Sequence, residues 1–427
     1  MDKDQLKRTR ASAIKLSQLS TEKKNQILAD FADLIEKNQK NLIDANIRDC
    51  KKSKGKISQA LLNRLVLSSD KFPQIVQGIR DVVGLDDPSG KIYWRKELDE
   101  DLILTKQSVP IGVLAIVFES RPDVIPQILS LALKSGNAVL LKGGSEAIET
   151  NRAFMEIIQQ LNKHHPILSP DWAVLLKSRG DFNSLLNHPK YIDLVIPRGS
   201  NELVQKIMNE SRIPVLGHAD GVCHLYLDET ANIDQAASII LDSKTQYPSA
   251  CNSLETLLID KRVSNSIIEK IGAELEKANV EIRSCEKLIS VFPKAKKSNA
   301  SDYGQEFGDL ILAVKQVNDL DHAIAHINQY GSHHTDGIIS SDQKKIQKFQ
   351  NEVDSASVFS NASTRFADGF RYGFGAEVGI ATSKTHARGP VGLEGLVIYK
   401  YRLEGAGQTV KSYTGENAKL FTHKVIN

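Results

Sequence analysis

The chain is poor in the features that mark several large protein classes. Its four cysteines, Cys50, Cys223, Cys251 and Cys285, are far apart and form no CxxC pair. That spacing excludes a disulfide framework and a zinc cluster, so no metal is expected and a reducing compartment fits. No apolar run reaches the length of about 18 residues that a bilayer-spanning helix needs. The opening Met1-Asp2-Lys3-Asp4-Gln5-Leu6-Lys7 is charged where a signal peptide would be apolar. Neither sign of charge dominates: 55 Lys and Arg against 52 Asp and Glu leave +3 over 427 residues. Such a balance gives no field for nucleic acid or a membrane surface. The expectation is a cytoplasmic protein of two or three domains.

What is present is periodicity. Residues 21–48 carry Ile27, Leu28, Phe31, Leu34, Ile35, Leu42 and Ile43 at helical spacing, which predicts one amphipathic helix. The basic run at 51–56 reads as a solvated loop. Residues 92–109 read as two strands around the acidic turn Asp99-Glu100-Asp101, a hairpin too small to stand alone. From 111 to about 227 the pattern alternates. Apolar strands are expected at 111–118, 138–141, 172–176, 192–196, 213–216 and 222–227, with helices at 124–134, 146–161 and 203–210 between them. Strands this continuously apolar are covered on both faces, and βαβ alternation implies an open parallel sheet. A second series follows, with strands at 254–259, 310–314, 337–340 and 358–360 and helices at 265–278, 320–329 and 343–353. Two such series joined near Asp228 give two open α/β lobes with a cleft at the strand ends.

A dinucleotide fold invites a search for GxGxxG. The nearest segment, Gly373-Phe374-Gly375-Ala376-Glu377-Val378-Gly379, has the wrong spacing and follows a loop. Two strand ends remain: Leu141-Lys142-Gly143-Gly144-Ser145-Glu146 and Ile196-Pro197-Arg198-Gly199-Ser200-Asn201. In each, glycine allows close backbone approach and a helix start attracts phosphate. Each also reads as an ordinary strand-to-helix turn. Cys251 stands among small and polar neighbours, Ser249-Ala250-Cys251-Asn252-Ser253, whereas Cys223 lies in an apolar run. By spacing alone, Cys251 can be either a nucleophile or a structural cysteine. His322 and His326 share a helix face without the glutamate of HExxH, and His164-His165 and His333-His334 show no ligand cluster either.

Several segments are far more specific. Phe118-Glu119-Ser120-Arg121-Pro122-Asp123, Leu141-Lys142-Gly143-Gly144-Ser145-Glu146-Ala147, His218-Ala219-Asp220-Gly221-Val222-Cys223-His224, Cys251-Asn252-Ser253-Leu254-Glu255-Thr256, His334-Thr335-Asp336, Asn361-Ala362-Ser363-Thr364-Arg365-Phe366 and His386-Ala387-Arg388-Gly389-Pro390 resemble, in order, the γ-glutamyl phosphate reductases of the aldehyde dehydrogenase superfamily. The resemblance runs over nearly the whole chain. It implies a cofactor-binding domain from 1–90 and 110–227 with 361–387 returning to it, a catalytic domain at 228–360, and an oligomerisation element from 91–109 and 388–427.

The same resemblance implies NADPH-dependent reduction of L-glutamyl 5-phosphate to glutamate 5-semialdehyde, with Cys251 as nucleophile. It places Lys142 at the adenosine ribose, Arg198, Gly199 and Ser200 near the pyrophosphate and Glu306 at the nicotinamide ribose. Ser145 stands where an acidic residue would repel a 2′-phosphate. Glu119, Arg121, Asn252, Arg365 and Arg388 are substrate candidates, and the arginines can equally be interlobe ion pairs. The segment 217–221 lacks the glutamate with which hydrolytic relatives activate water, and only Asp220 stands in for it. A homo-oligomer and a separate glutamate 5-kinase as partner are further expectations. The rivals are a coenzyme A-acylating relative and a catalytically inactive binding protein.

Overall fold

A computed structural model describes residues 2–218 and 220–426. Met1, Ala219 and Asn427, which fall in the segments considered above, lie outside the described residues. The fold is α/β and is organised around two parallel sheets and one antiparallel sheet. Among the described residues no helix is long and apolar enough to cross a membrane.

The first sheet runs, in spatial order, Ala173–Leu175, Ala138–Gly143, Val113–Phe118, Leu194–Arg198, all parallel. Every residue of Val113–Phe118 is buried, as a strand between two helical layers requires. The helices Val124–Ser135 and Ile148–His164 cover it together with an N-terminal helical layer. That layer breaks where one helix was expected. Thr21–Lys37 ends at Asn38, whose side-chain amide turns back onto the Leu34 carbonyl at 2.8 Å, and Gln39–Ser53 starts afresh. An asparagine competing for its own backbone explains the break. The expected strand at 213–216 is reduced to a single bridge between Val195 and Val215.

The second sheet has seven parallel strands in the order Lys296–Lys297, Glu281–Ser284, Ile311–Val317, Leu254–Asp260, Cys223–Leu227, Thr335–Ile339, Ser357–Ser360. Alternation along its strands splits the core. Leu225, Leu227, Leu257 and Ile259 pack with the helices Ile233–Thr245 and Asn265–Lys277. Tyr226 and Leu258 pack on the opposite side with Leu320–Tyr330 and Gln343–Glu352. Cys223–Leu227 thus corrects the expected boundary at 227. It pairs with Leu254–Asp260 and Thr335–Ile339, so it stands in the second sheet although it closes the first βαβ series in sequence. Val378, Ala381, Val391, Leu393 and Leu396 pack into the core of the first lobe, so the returning chain extends past 387.

The third sheet joins Val397–Glu404, Leu102–Pro110, Ile92–Asp99 and Lys424–Ile426, all antiparallel. The C-terminal tail is ordered against it. Tyr413 Oη donates to Asp99 at 2.7 Å, and Thr422 binds the carbonyls of Leu98 and Glu97.

Candidate active site

Strand ends of the two parallel sheets line one cavity. The first presents its carboxyl ends, Phe118, Gly143 and Arg198, and its order reverses between Val113–Phe118 and Leu194–Arg198, the switch point where open α/β sheets bind ligands. The second presents the residues that precede three adjacent strands. Cys251 comes just before Leu254–Asp260, His218 before Cys223–Leu227, and His334 immediately before Thr335–Ile339. A cavity of about 970 Å³ lies between, lined by Lys142, Arg198, His218, Cys251 and Glu306 among others. That size suits a cofactor and substrate together.

Cys251 is half-buried and held by its backbone. The Cys223 thiol donates to its carbonyl at 3.3 Å. Gly221 presses on the same peptide, where a Cβ would stand 2.1 Å from the Cys251 oxygen, so only glycine fits. Its N–H and that of Asn252 have no acceptor among the described residues. The side-chain amide of Asn252 donates to Ala367 O at 2.8 Å, and its buried Oδ1 has no partner. Two guanidiniums line the same cavity, Arg198 and Arg365, both drawn down from the ordinary arginine range chiefly by burial. Arg365 is buried and donates to Gln246 at 2.9 Å, and Arg198 donates to Gln127 at 3.2 Å. Beneath the strand that follows, Lys244 and Glu255 form a fully buried ion pair at 2.8 Å. Burial raises the carboxyl and lowers the amine, and each partner opposes the shift of the other.

At the cofactor side, two helix starts compete as phosphate sites. That of Ile148–His164 is filled, because Asp49 accepts the N–H groups of Glu149 and Thr150 at 3.2 and 2.8 Å. That of Asn201–Glu210 opens on the cavity with a glycine before it; a Cβ on Gly199 would sit 2.6 Å from Glu119 Oε2. Among the described residues only its Ser200 N–H is engaged, by Glu119 at 2.9 Å. These residues fit a dinucleotide, with open amides at one helix start and Lys142 at the next strand end. Lys142 donates to the neighbouring Gly143 carbonyl and is lowered chiefly by burial. Arg64, Lys177 and Arg179 line the same cavity as Ser145, and none has an ion pair among the described residues. Sequence reading missed these three cations, which lie on separate elements without a motif.

Glu306 accepts from Gly221 N–H at 2.9 Å and Asn201 at 3.2 Å, tying the two lobes together. Arg121 lines the cavity, and its guanidinium makes no hydrogen bond or ion pair among the described residues. Arg388 is not brought to the site. Its guanidinium binds Asp354 at 3.0 Å and the Thr382 carbonyl at 3.0 Å, the structural role open to it from the start, and it leaves the list of substrate ligands. Asp220 is exposed, accepts from Asn201 at 2.7 Å and is not among the cavity-lining residues. The carboxylates that do line it are engaged: Glu146 by Ser120, Glu377 by the Gly369 amide and Asp368 by the Phe370 amide.

Comparison with known proteins sharpens this geometry. The model of the aldehyde dehydrogenase family matches residues 3–301. The chain is 49% identical to the γ-glutamyl phosphate reductase of Pelotomaculum thermopropionicum, over 100% of this chain and 98% of that one. The crystal structure of the Thermotoga maritima γ-glutamyl phosphate reductase superposes with a TM-score of 0.92 at 34% identity, covering 95% of this chain and 99% of that one. A glyceraldehyde-3-phosphate dehydrogenase from Methanocaldococcus jannaschii, complexed with NADP, superposes at 0.66 with 14% identity over 95% and 94% of the chains, a likeness of fold alone. Fold and site together define an oxidoreductase of the aldehyde dehydrogenase type. The chain belongs to that family and, within it, to the γ-glutamyl phosphate reductases.

Proposed function

We propose that the chain reduces L-glutamyl 5-phosphate to L-glutamate 5-semialdehyde and phosphate, the reductive step of proline biosynthesis from glutamate, through a thioester on Cys251. One observation carries the mechanism: Cys251 faces the carboxyl edge of the dinucleotide sheet across one cavity. The thiolate displaces phosphate from the acyl carbon and holds the glutamyl group as a thioester. The unengaged N–H groups of Cys251 and Asn252 are donors for the oxyanion that forms at each tetrahedral stage. Arg198 and Arg365, which line the cavity together with Cys251, receive the phosphate; this moves Arg198 from the cofactor to the substrate side. Arg121 is free to bind the α-carboxylate, and the unpartnered Oδ1 of Asn252 suits the α-ammonium. Each carboxylate lining the cavity, Glu119, Glu146, Glu306, Asp368 and Glu377, accepts a backbone N–H, and the segment 217–221 carries no glutamate to activate water, which supports reduction over hydrolysis.

The cofactor is a nicotinamide dinucleotide, which supplies the hydride when bound. Asn201–Glu210 offers its open N-terminus to the pyrophosphate, with Gly199 and Ser200 in the approach turn, Lys142 at the adenosine ribose and Glu306 at the nicotinamide ribose. Arg64, Lys177 and Arg179 near Ser145 support NADPH over NADH, since three unpaired cations suit a 2′-phosphate. A cytoplasmic setting, a homo-oligomer built on the third sheet and a glutamate 5-kinase supplying the acyl phosphate complete the proposal. The test is semialdehyde oxidation in the reverse direction. NADP with inorganic phosphate should support turnover, and coenzyme A in place of phosphate should not. Turnover with coenzyme A and none with phosphate would favour the acylating alternative.

A further inference from the structure

The mechanism above leaves one group unused: two imidazoles at the nucleophile. A ring nitrogen of His218, a ring nitrogen of His334 and the sulfur of Cys251 lie within 4.8 Å of one another. We propose that His218 is the proton carrier of the reaction, taking the thiol proton of Cys251 as sulfur attacks and delivering it to the departing phosphate, with His334 as its positioning residue. This rests on Cys251 being the nucleophile.

Three observations converge. His218 lines the cavity, and its Nδ1 lies 3.0 Å from the carbonyl of Ile380. A carbonyl only accepts, so the neutral ring carries its hydrogen on Nδ1 and keeps the lone pair on Nε2. The fixed tautomer is therefore that of a base. Second, His334 meets His218 edge to face, with ring centroids 4.9 Å apart at 74°. His334 is 1% exposed, its Nδ1 lies 2.9 Å from the Thr335 hydroxyl, and its buried Nε2 has no partner among the described residues. An unsatisfied nitrogen at that depth is tolerated where a ligand or a reacting group completes it. Third, the other neighbours are unsuited to the task. Arg198 and Arg365, which line the same cavity, have no acceptor on their side chains. Cys223 is pushed far up by burial and directs its thiol at the Cys251 carbonyl. Glu377, near His218 and Arg198, is bound to the Gly369 amide.

The step balances. The S–H bond breaks and its proton moves to Nε2 of His218. The C–S bond then forms as the carbon–oxygen bond to phosphate breaks, and the proton leaves with phosphate. The ring is neutral again beside the thioester. After hydride addition the oxyanion re-forms the carbonyl, the C–S bond breaks, and the Cys251 thiolate takes one solvent proton through the same ring. Acyl phosphate, hydride and one proton give aldehyde and hydrogen phosphate.

His218→Asn is the decisive variant, because the asparagine amide keeps a donor for the Ile380 carbonyl and removes the basic nitrogen. General acid–base catalysis contributes about 10²–10⁴-fold. Reductive kcat should fall by about 100-fold or more, the acid limb of its pH profile should flatten, and added imidazole should restore part of the rate, with cofactor affinity and thermal midpoint unchanged. His334→Asn should cost about tenfold and keep the limb. A loss below tenfold in His218→Asn, or a larger loss with the limb intact and no rescue, overturns the proposal. Cys251→Ala run in parallel separates the two readings. If that variant still turns over, the nucleophile assignment fails; if it is dead while His218→Asn is normal, only the proton carrier fails.

Discussion

The two lobes bury charge in different places. In the first, the strands from Val113, Ile116, Leu140 and Leu141 to Ile196 are aliphatic, and the buried charges lie in the helical layers: Lys24 pairs with Asp87 at 2.8 Å, and Lys134 donates to Asn25 at 2.7 Å and to the Val83 carbonyl at 2.9 Å. The second carries ionisable side chains on the sheet itself: Glu255 with Lys244, His224 with Asp336 at 2.9 Å, and Lys315 beside His326 at 3.1 Å. A cofactor bound at strand ends needs only a scaffold beneath it. A nucleophile with a fixed neighbourhood needs its loop anchored from below, and a charge pair at the start of the next strand supplies that anchor. The difference teaches that buried charge braces the helical layer in one lobe and the strand starts beside the nucleophile in the other.

Three substitutions break or sharpen that contrast. Lys244→Met should have the largest effect, because it strands a buried carboxylate one strand start from Cys251. Loss of one partner of a buried pair costs about 3–5 kcal/mol, so equilibrium unfolding should show that loss, and a variant within 1 kcal/mol of the parent, an order-of-magnitude margin, would deny the anchoring role.

His326 comes next. Burial, ahead of the nearby His224 and Lys315, pulls it down to about 3. Between there and the unfolded value of about 6.5 the unfolded chain binds the extra proton, so stability is present at neutral pH and drains away as pH falls. The slope approaches about 1.4 kcal/mol per pH unit for one such group. His326→Gln should shallow that acid limb by most of this amount, and urea titrations at pH 7 and 5 measure it. Lys142→Ala, in the other lobe, should be mildest. An apparent NADPH requirement raised about tenfold, or about 1.4 kcal/mol, with kcat within about twofold, is the signature of lost uniform binding. A fall in kcat alone would move Lys142 into the chemistry.

Much of this was legible in the sequence. Apolar runs such as 113–118 and 254–260 declare buried parallel strands, and Thr21–Lys37 declares its face by spacing. What periodicity does not carry is which sheet a buried strand joins. Cys223–Leu227 looks like the last strand of the first series and pairs in the second, because both sheets ask for the same apolar residues. The site divides in the same way. Cys251 stood out through its neighbours and the resemblance of its segment. His218 and His334 stood in segments that carry the resemblance, but nothing in the sequence joined them: they are more than 100 residues apart, in a pairing that exists only because their strands adjoin. Arg64, Lys177 and Arg179 were silent for the same reason, and Arg388 misled because a guanidinium that clamps Asp354 reads like one that binds a substrate.

The central claim is a glutamyl thioester on one sulfur, and acid quench of the enzyme with glutamyl phosphate in the absence of reduced cofactor tests it most directly. Peptide mass spectrometry should find the acyl adduct on Cys251, absent in Cys251→Ala and discharged when NADPH is added before the quench. An adduct on Cys223, Cys285 or any other side chain, or turnover without an adduct in Cys251→Ala, would contradict the account.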